Sequence, residues 1–178
     1  GDFPALFDYI QNYYQPIGRD VQSSLFMRSS RVAETRPAAV KVTMLELSQI
    51  RVLSSVGKIA LLDEGRWFAH ARSHFCYTVT GPARSLKGTF GFLPSAYADA
   101  GKATDGATFI IEAVTAGGLR ERLLERTLNP LAEQRDRGPI AFVCELPRQP
   151  GLELEFVVNP GQGNSYDWTY WGNLRLED

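Results

Sequence analysis

Punctuation sets the limits on what this chain can fold into. Turn-forming clusters interrupt it at short intervals: Arg36-Pro37, Asp63-Glu64-Gly65, Gly81-Pro82, Gly117-Gly118, Pro147-Arg148-Gln149-Pro150-Gly151 and Asn159-Pro160. Between them lie short apolar runs rich in β-branched and aromatic residues, the composition of strands. Residues 40–47 (a run that 49–53 and 58–62 extend), 74–80, 86–92, 108–114, 140–146, 152–158 and 168–176 read this way, and 24–27 add a shorter piece. In 74–80, Phe75, Tyr77 and Val79 fall on one face. Residues 119–128 are good helix formers, yet turns bound both ends and the length suits a return strand, so a strand is expected. Gly88 and Gly91 within one strand predict a bulge or a close backbone approach. About eight to ten short strands at this turn spacing predict an all-β fold, a two-sheet antiparallel jelly-roll β-sandwich.

The amino-terminal stretch breaks the pattern. Phe3, Phe7, Ile10 and Tyr14 recur at helical spacing ahead of Pro16, which predicts a short helical segment there. Residues 1–20 would then be a connector, and 1–178 a single domain. The opening Gly-Asp-Phe, without Met, is the start expected of a segment of a longer chain. The rest of that polypeptide would be one partner.

Composition removes several function classes. The net charge is −1, and the 19 Lys and Arg are scattered rather than gathered on one stripe. A nucleic-acid partner, which needs a basic face to neutralise phosphates, is not expected. No apolar run approaches the roughly 20 residues of a membrane span, so this segment should not insert as a helix. His70 and His74 stand four apart with no third ligand near in sequence, and neither a metal nor a cofactor is expected. Cys144 alternates onto the apolar side of its strand, while Cys76 lies opposite Phe75 and Tyr77. Two free thiols are the plain reading, and a disulfide is the alternative in an exported protein.

Catalytic signals are thin. There are only two histidines, no G-x-S-x-G, no phosphate loop and no metal spacing. Asp63-Glu64 lies at a turn, where carboxylates usually face water, and Asp99 and Asp105 flank a loop. The chain is read as a non-enzyme.

The terminal stretch has the most character. Asn159-Pro160-Gly161-Gln162-Gly163-Asn164-Ser165-Tyr166 forms a polar loop, and Asp167-Trp168-Thr169-Tyr170-Trp171-Gly172 returns to extended chain. Strict alternation puts Trp168, Tyr170, Gly172, Leu174 and Leu176 on a core face, with Thr169, Trp171, Asn173, Arg175 and Glu177 opposite. Trp171 would then be a large aromatic on a polar face. A pyranose stacks its apolar C–H face on such a ring and hands its hydroxyls to fixed polar partners. Asp167, Asn164 and an arginine of the 135–137 loop, Arg137 among them, could supply these. The plainer readings stand beside it: Asp167 caps the loop by accepting backbone N–H bonds or pairs with Arg137, and Trp171 is core. A buried Trp171 would favour a structural or protein-interaction domain without glycan binding.

Two stretches carry a resemblance. Thr104-Asp105-Gly106-Ala107-Thr108-Phe109, and later Asp167-Trp168 with Trp171-Gly172-Asn173-Leu174-Arg175-Leu176, resemble the second half of NPCBM-type modules (novel putative carbohydrate-binding modules). These have a D-G-x-x-F strand and close on an acidic residue followed by W-x-(D/N)-x-x-(L/I). Phe90-Gly91-Phe92-Leu93-Pro94 is similar to their middle strand and loop. The likeness covers roughly residues 74–176, and the charged segment 119–137 is longer than its counterpart. It implies a galactose-binding-like jelly roll, non-catalytic, contacting glycan as part of a larger envelope or glycan-processing protein. It also implies an extracytoplasmic location, periplasmic or at the cell surface.

Overall fold

The computed structural model describes Tyr14–Pro16, Phe26–Arg28 and residues 39–98 and 103–178. The chain divides into two units, Gly1–Ala39 and Val40–Asp178. In the first, β1 (Tyr14–Pro16) pairs antiparallel with β2 (Phe26–Arg28). The expected amino-terminal helix is not supported. Residues 3–13 lie outside the described ones, and Tyr14, last of the helically spaced set, is already in a strand. Tyr14 pairs with Arg28 in the β1–β2 ladder instead.

The second unit is the β-sandwich. Its strands are β3 (Val42–Met44), β4 (Ile50–Ser55), β5 (Ala60–Leu61), β6 (Arg66–Phe68), β7 (Ser73–Thr78), β8 (Ser85–Phe92) and β9 (Ala107–Val114). They continue with β10 (Arg120–Leu128), β11 (Ile140–Glu145), β12 (Glu153–Pro160) and β13 (Thr169–Glu177). One sheet runs β10-β9-β12-β7-β4 and the other β11-β8-β13-β6-β5, with antiparallel pairing throughout. β6 and β3 share one edge of β13 end to end, along Tyr170–Gly172 and Arg175–Glu177. Residues 119–128 form a strand as expected, held by β9 and the turn at Gly118. Among the described residues no helix is long and apolar enough to cross a membrane.

Aromatic rings fill the space between the sheets. Phe75 stacks on Phe156 at 5.1 Å, and Phe90 meets Phe109 at 4.7 Å. Trp171 sits among Phe90 and Phe142 of its own sheet and Phe109 and Phe156 of the opposite one, with centroids 5.3–6.3 Å away. It is 0% exposed. The expectation that Trp171 stands on the outer face is therefore corrected. The cause is a break in register between Gly172 and Arg175, where Asn173 takes a positive φ of 51°. Such an inserted residue reverses which side chains face inward. Before the break Trp171 points into the core; after it, Leu174 and Leu176 do.

The glycines of β8 mark close approaches. A Cβ on Gly91 would lie 2.6 Å from the Gly138 carbonyl, and the Tyr170 hydroxyl is 3.1 Å from the same point. Tyr170 is thus buried on the other side of β13 from Trp171, with the Arg66 guanidinium 5.6 Å from its ring.

Candidate functional site

The antiparallel order brings the segments 69–72, 93–98, 103–106, 129–139 and 161–168 to one end of the sandwich. This follows from the pairs Phe92–Thr169, Ala107–Pro160, Ala107–Leu128 and Phe90–Ile140. The D-G sequence fastens this apex. Asp105 Oδ2 accepts from the Gly163 N–H at 2.8 Å, and the Gly106 carbonyl accepts from Gly161 N–H at 2.9 Å. Gly106 has φ +106°, and a Cβ there would meet the Leu128 carbonyl at 2.6 Å, so only glycine fits. Thr104 accepts the Gly106 N–H at 3.0 Å and donates its hydroxyl to Asp167 Oδ1.

Asp167 is wholly buried, and its Oδ2 has no hydrogen-bond partner. Burial pushes its carboxyl up to about 6 and the nearby Asp105 charge adds to this, while the Thr104 hydroxyl and His70 act the other way. The expectation that Asp167 offers itself to a sugar hydroxyl is corrected: neither oxygen is presented to solvent in this arrangement. Nor does it take the capping role read from sequence. The backbone N–H of the terminal loop goes to Asp105, and Asp167 takes the Thr104 hydroxyl instead.

The aromatic surface of the apex belongs to other residues. Trp168 is half-buried against the core, and Tyr166, at a positive φ of 60°, meets it edge-on at 5.6 Å. The Trp168 carbonyl accepts from the Leu93 N–H at 2.8 Å, tying this turn to the start of the segment that follows β8. Asn164 is exposed two residues before Tyr166. Arg137 is exposed as well; its Nε donates to the Pro130 carbonyl at 2.7 Å and its guanidinium lies 5.5 Å from the Tyr97 ring. The apex thus offers an aromatic edge pair, an exposed amide and a ring-backed guanidinium. Asp99 lies outside the described residues.

A second polar assembly crosses the outer face of the β10-β9-β12-β7-β4 sheet. Arg51, Cys76, Glu155, Glu112 and Arg122 stand in one cross-strand row. Arg120 donates to Glu155 at 2.8 and 3.0 Å and to Glu112 at 3.0 Å, Arg122 adds bonds of 2.8 and 3.0 Å to Glu112, and His74 Nε2 sits 2.8 Å from Glu155. Acid–base chemistry needs two groups whose affinities for the proton are driven apart. Here both carboxyls are held below their ordinary range, Glu155 chiefly by Arg120 and Glu112 chiefly by Arg122. The row is an ion-pair brace across the sheet. Lone glutamates inside otherwise apolar strands, Ile111-Glu112-Ala113 and Leu154-Glu155-Phe156, are the sequence signal that marks it.

Cys76 and Cys144 are both buried and free. Cys76 belongs to that outer row, whereas Cys144 faces the core between the sheets. Among the described residues no group of three or more His, Cys, Asp or Glu could hold a metal ion.

The strand order and the apex together define a class of fold, the two-sheet antiparallel jelly-roll β-sandwich. Among solved structures, the chain is similar to the M60 catalytic domain with the CBM51-1 and CBM51-2 domains from Clostridium perfringens ZmpB (16% identity over 78% of this chain, TM-score 0.51). It is also similar to a carbohydrate binding module of family 29 (8% identity over 78% of this chain and 88% of that one, TM-score 0.50). CBM51-2 in complex with GlcNAc and INT domains from the same ZmpB superposes at 17% identity over 78% of this chain, with a TM-score of 0.49. The chain spans 15% and 29% of those two ZmpB chains. No protein-family model matches it, and no curated protein matches it in sequence. At these identities the first two likenesses are of fold, and they bear out the two-sheet antiparallel jelly-roll β-sandwich expected from strand count and turn spacing.

Proposed function

We propose that this sandwich is a non-catalytic carbohydrate-binding module of a larger glycan-processing protein that works outside the cytoplasm. The observation that carries the proposal is the apex turn, where Trp168 and Tyr166 present aromatic surface beside exposed Asn164 on a loop clamped by Asp105. A site of this kind needs one apolar face and a few fixed polar groups. Trp168 takes the platform role, Asn164 supplies an amide that both donates and accepts, and Arg137 donates from the neighbouring loop. The shared fold with carbohydrate-binding modules supports the reading, and the braced Glu112 and Glu155, both held below their ordinary range by arginine, support a sheet face without catalysis.

A glycan array followed by titration of the best hit tests it. Trp168→Ala should abolish binding and Asn164→Ala weaken it about tenfold, the loss of a well-made polar contact. Both should keep the native far-ultraviolet spectrum. The second reading, a structural or protein-interaction domain, is favoured by the burial of Trp171, which removes the platform that alternation had placed there. A blank array with correctly folded protein would select it.

A further inference from the structure

The end of the sandwich opposite the apex holds a cavity of about 520 Å³, within the size range of small-ligand sites. Its walls are the turn at 79–84 between β7 and β8 and the turn at 146–152 between β11 and β12. Both walls are stiff. Pro82, Pro147 and Pro150 fix their own φ angles. Backbone bonds from Val79 to Leu152, from Leu146 to Arg84 and from Arg84 to Glu177, at 2.7–2.8 Å, tie the two turns to each other and to β13. A ligand entering such a site orders little of the protein, so less of the contact energy is lost on binding.

The charge on the walls is cationic. Arg84 and Arg148 line the cavity, and Asp178 is the one acidic residue among the lining. Asp178 Oδ1 stands 3.8 Å from Arg84 Nε, at the outer limit of an ion pair, with both side chains well exposed. Among the described residues Arg148 has no ion-pair partner. A smaller hollow of about 210 Å³ shares Thr80, Gly81 and Pro82 with this cavity and adds Lys41 to its flank. Guanidinium groups match carboxylates in a planar, two-bonded geometry.

We propose that this cavity is a second binding site, independent of the apex, for a small carboxylate whose compact apolar body lies against the proline walls. The carboxylate sits between Arg148 and Arg84 and displaces Asp178 from its weak pairing. A sugar acid and a free organic acid share this chemistry, and the size of the cavity admits either.

The test is a titration of the full chain, followed by amide nuclear magnetic resonance, with glucuronate, with propionate and with neutral glucose. Saturable shifts confined to 79–84, 146–152 and the chain around Asp178 with a carboxylate and absent with glucose are expected. Glucuronate binding more tightly identifies a sugar acid, and equal affinities identify a general carboxylate site. Arg148→Gln, an exposed substitution in a turn, should weaken binding about tenfold or more while the rest of the spectrum stays unchanged. Trp168→Ala should have no effect, which separates this site from the apex. Glucose shifting the same residues as strongly as glucuronate would overturn the proposal. So would the absence of saturation with either acid, or unchanged affinity in Arg148→Gln.

Discussion

Between about pH 4 and pH 6 the stability of this domain should be governed by one carboxyl, and Asp167→Asn isolates it. Asp167 is 0% exposed, and its Oδ2 has no partner, so its ionised form is held without the solvation it has in the unfolded chain. Its affinity for a proton rises accordingly, from 3.8 to about 6. The folded state then binds more protons than the unfolded one across that interval, and stability falls as pH rises through it. The advantage of the protonated form is complete below 3.8 and gone above about 6. At about 1.4 kcal/mol per pH unit, the loss is on the order of 3 kcal/mol. Glu112, Glu155 and Glu177, held below their ordinary value of 4.5 by arginine and lysine, act in the opposite direction on the acid side. Their stabilisation is present above 4.5 and lost as pH falls below it, so the maximum lies near the crossing of the two slopes. Urea unfolding followed by tryptophan fluorescence across this range measures the effect. Asn at 167 keeps an oxygen for Thr104 and carries no charge, so the falling limb should flatten. A wild-type protein with no decline between about pH 4.5 and pH 7, or an Asp167→Asn variant with the same decline, would refute the reasoning.

Trp171→Ala should cost about 3–5 kcal/mol, because it empties a space enclosed by four phenylalanines, while half-buried Trp168→Ala should cost clearly less; paired thermal melts decide. Gly91→Ala should destabilise by about 1–3 kcal/mol through collision with the Gly138 carbonyl, whereas Gly81→Ala, with nothing within 4 Å, should be close to neutral. Burial pushes the Cys144 thiol up to about 11 and raises that of Cys76 too, so neither should react with a thiol reagent in the native state. Both should react on unfolding without prior reduction, and a requirement for reductant would contradict the free-thiol assignment.

What the sequence made legible was whatever depended on local chemistry. Turn residues located the strands, and the glycines of β8 marked the close approach of Gly138. Residues 119–128 became a strand despite their helical preference, since pairing along β9 outweighs propensity. Buried interactions between distant segments were not legible: nothing in residues 161–168 says that Asp105 rather than Asp167 holds their backbone, or that Glu155 and Glu112 stand opposite each other.

The misplaced platform has a more specific cause. Alternation assigns inward positions only while the register is continuous, and β13 is not continuous. Residues 169–172 are all buried, because Tyr170 is covered on the outer side by Arg66 and the 138 region while Trp171 fills the core. With no exposed residue among them, polarity could not show which face was which. Only Leu174 and Leu176 fixed a parity, and counting back from them across Asn173 assigned Trp171 to the wrong side. The warning was present in Gly172-Asn173: a glycine inside a strand beside a residue that tolerates positive φ is the chemistry of a bulge. One inserted residue therefore exchanges the roles of two tryptophans. It makes Trp171 the centre of the core and leaves Trp168, one turn of chain earlier, as the aromatic that the apex can present.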